Sequence, residues 1–204
     1  MFGLDKFDSG HLDARNKYGQ TRLYRAAKGG NSILVKKLIA DGANPCLADQ
    51  SGVTAKSIAR TKGFHLIARW LNAAEDKHNV LDQAKRGNAK TQHSLGVMYA
   101  NGEGVPKDET EAVKWYRLAA EQGYAKSQMF LCLMLYYGGT GVPEDQTEAV
   151  KWCRLAAKQG YAEAQHTLGE MYQLGTGVPK DDTEAVKWYR LAAEQGYVNA
   201  QFNL

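Results

Sequence analysis

The sequence has little proline and little cysteine. It holds 4 Pro and 3 Cys against 21 Gly in 204 residues. So few prolines, beside many Ala and Leu, favour helices over loop-rich or collagen-like chains. Cys46, Cys132 and Cys153 form no CxxC pair and no metal-ligand spacing, which predicts free thiols in a reducing compartment and no cofactor or metal. No run approaches the roughly 18 apolar residues of a membrane helix. The first residues, Met1 to Phe7, lack the apolar stretch and cleavage site of a secretory signal. A cytoplasmic location is therefore expected. No basic run exceeds two residues, and no aromatic and basic side chains interleave, so nucleic acid is not an expected partner.

The charge balance is uneven. Residues 1–77 carry 13 Lys/Arg and 7 Asp/Glu, whereas residues 78–204 carry 13 and 15. The net +4 thus divides into a basic half and a mildly acidic half, which suggests two units. The basic half has the surface to favour acidic partners.

Internal repetition organises both halves. Three copies of one unit occupy 89–124, 125–161 and 162–197, and a partial copy covers 198–204; Gln92, Gln128, Gln165 and Gln201 mark one position in all four. Each unit reads as two helices. Leu95 and Tyr99 share a face of the first, which stops at Gly102-Glu103-Gly104 before Pro106. Asp108 with Glu111, Asp145 with Glu148 and Asp181 with Glu184 have capping-box spacing at the start of the second helix. Gly123 provides a left-handed stop, and Tyr124 packs back. Trp115, Trp152 and Trp188 recur at one position and are expected in the core.

The residues Leu95-Gly96, Tyr99, Gly102, Gly104-Val105, Asp108, Ala112, Trp115-Tyr116, Ala119-Ala120 and Gly123 give this unit its identity. It resembles the Sel1-like repeat, a relative of the tetratricopeptide repeat. The resemblance implies an all-α, right-handed superhelical solenoid of antiparallel helix pairs that presents partner-binding surfaces. A second period of 33 residues relates Gly19, Thr21, Ala26, Gly30 and Leu38 to Gly52, Thr54, Ala59, Gly63 and Leu71. With Tyr18–Ala27, Val35, Leu38-Ile39 and Gly42-Ala43-Asn44, the first half resembles about two degenerate ankyrin repeats. The Thr-Pro-Leu-His motif of that family stands here as Thr-Arg-Leu-Tyr (21–24) and Thr-Ala-Lys-Ser (54–57). Gly10–Asn16 looks like a vestige of an earlier copy. The expected organisation is ankyrin-like 1–77, a connecting helix at 78–88, and Sel1-like repeats over 89–204. Glu75–Asn79 reads as a short polar connection.

Comparing the copies with each other locates variation. From the second loop glycine to the final Tyr, 17 of 21 positions are identical, against 5 of 15 in the first part of the unit. The varying positions of the first helix fall at i, i+3, i+7 and i+10. They are Lys90, His93, Val97 and Ala100; Lys126, Met129, Leu133 and Tyr136; and Glu163, His166, Glu170 and Gln173. Tyr137 and Leu174 extend the second and third sets. This spacing predicts one solvent-facing stripe, basic at one end, apolar in the middle and acidic at the other, suited to a peptide or protein partner.

Catalysis is not expected. Gly102-x-Gly104 and Gly175-x-Gly177 lack a third glycine and follow a helix, unlike a phosphate loop. His93 and His166 read as exposed surface residues. Cys132 and Cys153 read as buried thiols without the regular cysteine placement of the secreted, cysteine-rich branch of this family, some of whose members have an enzymatic activity attributed to them. The expected function is a non-catalytic scaffold or adaptor. The alternative is the recognition segment of a larger enzyme or of a bacterial effector delivered to a host cell, because the fourth repeat breaks off. The uncapped end it leaves is also a candidate for end-to-end self-association.

Overall fold

A computed structural model describes residues 11–204, so Gly10 and the start of the vestigial copy lie outside the described residues. The chain divides into two compact units, Met1–Val80 and Leu81–Leu204. Among the described residues the regular secondary structure is helical, in eleven helices, with only isolated bridges besides. None of these helices is long and apolar enough to cross a membrane.

In the first unit, α1 (Arg22–Lys28) pairs with α2 (Ser32–Ala40), and α3 (Ala55–Thr61) precedes the long α4 (His65–Lys85). Short loops closed by the bridges Arg15–Thr21 and Ala48–Thr54 lead into α1 and α3. Thr21 and Thr54 cap these helices. Thr21 Oγ1 accepts from the Tyr24 amide at 3.1 Å, and Thr54 makes a reciprocal capping box with Ser57. The loops stack on each other, with Gln50 Nε2 donating to the Lys17 carbonyl at 3.0 Å. Leu23, Val35, Leu38, Ala59, Ile67 and Leu71 form the core. Glu75–Asn79 is not a polar connection, because α4 runs through it without interruption. Ala73, Ala74, Glu75 and Lys77 are good helix formers and no glycine or proline interrupts them, so polarity alone does not end the helix.

The second unit is a solenoid of antiparallel helix pairs. They are α5 (Ala89–Asn101) with α6 (Glu109–Glu121), α7 (Ala125–Tyr137) with α8 (Gln146–Lys158), and α9 (Ala162–Leu174) with α10 (Asp182–Glu194). A short α11 (Val198–Phe202) follows. One three-residue turn joins successive pairs. Gly123, at φ 85°, donates to the Ala120 carbonyl at 2.9 Å, and Tyr124 to that of Ala119 at 3.1 Å. This Schellman pair satisfies the end of α6, while Tyr124 already serves as N-cap residue of α7. Gly160-Tyr161 and Gly196-Tyr197 repeat it, and Gly87-Asn88 closes α4 by the same two bonds.

A buried glutamine then fixes each first helix against the second helix before it. Gln92, Gln128 and Gln165 donate to the carbonyls of Ala84, Ala120 and Ala157, each at 3.1 Å. Their own side-chain carbonyls accept from Gln122, Gln159 and Gln195 at 2.7–2.8 Å. Asp108, Asp145 and Asp181 cap as expected, accepting from the amides three residues on. The reciprocal half of the box is not made. Glu111, Glu148 and Glu184 turn instead to Lys114, Arg117 and Lys187, because a cation within reach outcompetes a backbone donor for a carboxylate. The three tryptophans are only partly buried, with Trp152 and Trp188 packing on the edge of the core.

The middle repeat solves its packing differently. In the first and third repeats a glycine lies under a tyrosine: a Cβ on Gly96 would come within 2.6 Å of the Tyr116 ring, and one on Gly169 within 2.7 Å of Tyr189. The corresponding pair in the middle repeat is Cys132 and Cys153, both fully buried. A small-plus-large pair has become two medium side chains, and the volume between the helices is kept. The facing Cys132 thiol, and then burial, hold the Cys153 thiol well above its ordinary pKa.

Two stability measurements follow. Gln128→Leu removes two hydrogen bonds, one to the Ala120 carbonyl, which keeps its bond from Gly123, and one from Gln159, and urea denaturation is expected to show a loss of about 1–3 kcal/mol. Cys153→Tyr alone overpacks against Cys132 and is expected to cost about 1–3 kcal/mol, most of it recovered when Cys132→Gly is added; additive losses in the cycle would refute the volume exchange.

Candidate partner-binding site

The first helices α5, α7 and α9 lie side by side, and the residues they leave uncovered form the candidate site. Each helix is closed in on both flanks by its neighbours, so the free strip is narrower than periodicity suggests. Lys90, Lys126 and Gln173 are exposed, and Tyr137 is the most open apolar residue of the set at 69%. Val97, Leu133, Tyr136, Glu163 and Glu170 are half-buried, as is Ala100. Leu174 is 68% exposed beside Gln173.

Two expected members are core residues. Met129 is 1% exposed and His166 6%. His93 is half-buried, so neither histidine is the free surface residue that the sequence spacing suggests. The position they occupy faces the following repeat. The His166 ring lies against Tyr189 and Tyr197 at 5.5 and 5.2 Å, with Asn203 Nδ2 3.1 Å from Nε2 and Glu170 3.6 Å from Nδ1. His93 packs against Tyr116, Tyr124 and Phe130 at 5.2–5.4 Å, and its Nδ1 is 3.0 Å from Ser127 Oγ. In the first two repeats the i+3 stripe is thus one residue out of phase with the open face, which carries Ser94 and Phe130 instead, while Thr167 at the same position of the third is buried. Phe130, 38% exposed, is an open-face residue that the spacing argument left out. The signal for it was present as a phenylalanine standing where the other copies have Ser and Thr.

The open strip therefore has an aromatic-apolar centre on α7, made of Phe130, Leu133 and Tyr137. The Tyr136 and Tyr137 rings meet edge to face at 4.8 Å. Partial burial, and then the Glu170 carboxylate, raise the Tyr137 hydroxyl pKa. Lys90 and Lys126 stand toward the first repeat, and Glu163 and Glu170 toward the third. Ser127 and His93 resemble a nucleophile and its base, but Ser127 is fully buried. No group of three His, Cys, Asp or Glu side chains converges among the described residues.

A second concavity lies on α8. It has a volume of about 490 Å³ and is lined by Asp145, Thr147, Glu148, Lys151, Trp152 and Leu155. Leu155 and its counterparts Leu118 and Leu191 are 43–45% exposed. Copy-to-copy variation does not reveal this side, because these residues are identical in every repeat.

The family model described as Sel1 repeat matches residues 89–124, 125–161 and 162–197. Among solved structures, a Sel1 repeat protein from Oxalobacter formigenes is 37% identical, with a TM-score of 0.59 over 63% of this chain and 96% of that one. A protective antigen with an SLR fold from uropathogenic Escherichia coli is 32% identical, with a TM-score of 0.56 over 88% of this chain. The chain spans 34% of that antigen's length. Helicobacter pylori cysteine rich protein B shares the fold, with a TM-score of 0.52 at 18% identity over 64% of this chain and 96% of that one.

Burial, and then the Lys126 charge, lower the His93 pKa below its usual 6.5. The unfolded chain binds this proton more readily, so stability is complete above the unfolded pKa and falls as the pH drops below it. Thermal melts at pH 7 and pH 5 are expected to differ more for the native chain than for His93→Met, which carries the residue of the middle repeat.

Proposed function

The chain belongs to the Sel1 repeat family, whose members are generally protein-interaction scaffolds, and from that premise we propose that it binds a peptide segment of a partner along α5, α7 and α9, the concave side of the array. The observation that carries this reading is exposed Phe130 and Tyr137 with half-buried Leu133 between them on one helix, while the second helices of the repeats are nearly invariant. Open aromatics with a charged rim are the usual anchors of protein recognition. Lys90 and Lys126 receive the acidic end of the segment, and Glu163 and Glu170 its basic end, with Gln173 and Tyr136 beside the anchor. Val97 widens the apolar floor. Met129, His93 and His166 support the strip from beneath rather than touching the partner.

In this reading the chain is a non-catalytic adaptor, in keeping with a family whose scaffolds are typically non-enzymatic. The first unit is read as ankyrin-like. The 33-residue offset between its helix pairs and the stacked loops before α1 and α3 support that reading. The reading as a recognition segment of a larger protein draws support from the Escherichia coli antigen, which is about three times as long as the part matched. In that case the same strip recruits a substrate or target.

Selection of a displayed random-peptide library on the full chain tests the proposal. Enriched peptides are expected to carry an apolar centre between opposite charges. Their affinity is expected to fall by about 10-fold or more for Phe130→Ser with Tyr137→Ser, the circular dichroism spectrum being unchanged. Peptides that bind this variant equally well would overturn the site.

A further inference from the structure

The first unit carries a separate surface, built from α2 and the start of α4. Between residues 14 and 74 the chain has 11 Lys/Arg and only 2 Asp/Glu. Both acids lie outside the cationic part of this face. Asp41 stands at the far end of α2, and Asp49 is held in a turn, its carboxylate accepting from the Ser51 and Val53 amides at 2.9 and 3.0 Å. Lys56 is already engaged by Glu75 and takes no part.

The two helices repeat one pattern. Ile33, Lys36 and Ala40 on α2 correspond, 33 residues on, to Leu66, Arg69 and Ala73 on α4. The spacing i, i+3, i+7 puts each triplet on one helical face. All six residues are exposed, Ile33 at 82% and Leu66 at 58%. The helices are neighbours here, since Lys36 Nζ lies 4.2 Å from the centre of the Trp70 ring. The face therefore offers an apolar rung, Ile33 and Leu66. One turn on comes a cationic rung, Lys36 and Arg69, with Lys37 alongside. Last comes a rung of two alanines that lets another backbone come close.

We propose that this face docks a short acidic amphipathic helix of a partner protein, its apolar side chains on Ile33 and Leu66 and its carboxylates on Lys36, Lys37 and Arg69. Charge complementarity selects the sign of the partner, and the exposed Ile33 and Leu66 require it to bring apolar groups as well. The cationic rung is short and ends against the exposed carboxylates of Asp41 and Asp76. A nucleic-acid backbone or an anionic bilayer would extend onto those carboxylates, whereas a segment of two or three turns does not.

The probe is a fluorescein-labelled peptide of about 11 residues, roughly three helical turns, with Leu and Glu at helical spacing, titrated with the full chain and followed by anisotropy. Lys36→Glu, Lys37→Glu and Arg69→Glu together are expected to weaken binding about 10-fold or more, and Ile33→Ser with Leu66→Ser several-fold. Arg60→Glu with Lys62→Glu, a reversal elsewhere on the unit, is expected to change it less than about 2-fold. Phe130→Ser with Tyr137→Ser should leave it unchanged, which separates this surface from the strip on α7. Gln at the three cationic positions gives a milder variant should the reversal disturb folding. The proposal is overturned by absence of binding or by equal losses from the two charge reversals. Tighter retention of duplex DNA or of phosphatidylglycerol vesicles through the same residues would also overturn it.

Discussion

A buried glutamine that spans two helix ends is the contact on which the second unit depends. Its amide donates to a carbonyl near the end of the preceding helix, and its oxygen accepts from the glutamine that closes its own repeat. The glutamine side chain itself is nearly shielded from water, so leaving its amide and oxygen without these bonds would cost their desolvation. The bond lengths recur almost unchanged at Gln92, Gln128 and Gln165, so each first helix is set at one register against the helix before it. In a solenoid, where stability accumulates between neighbours, such a repeated register contact carries the array.

That register decides what the surface can be. With the Schellman turn at Gly123-Tyr124 fixing the chain reversal and the glutamine fixing the depth, the second helices are left almost no freedom to vary. The first helices keep one open strip. The middle repeat uses this latitude most. It exchanges a Gly–Tyr contact for Cys132 and Cys153 inside, and brings Phe130, Leu133 and Tyr137 outside. The same helix thus absorbs a packing change on its inner side and supplies the apolar anchor on its outer side, and neither disturbs the glutamine beneath.

The two units supply different chemistry. The second presents aromatic and apolar groups between opposite charges. The first presents a compact cationic rung beside Ile33 and Leu66. The two proposed surfaces together would let one scaffold hold two segments of unlike charge.

Much of this was readable in the residues themselves. Repeat length, helix pairing, the glycine stops and the Asp caps are local, set by side chains within a few positions of each other. They need no knowledge of what packs where. The concentration of variation in the first helices was legible in the same way. Which face of those helices is open was not local. Met129 and His166 have the periodicity of a surface stripe, yet the following repeat covers them, and Phe130, one position along, is left in the open. The half-made capping box at Asp145 has the same origin, because Arg117 reaches Glu148 from the neighbouring repeat, whereas Glu111 and Glu184 pair with a lysine on their own helix. Sequence by itself determined the helices and their order. Only the tertiary structure decided which side chains water can reach, because that depends on a neighbour some 36 residues away in the chain.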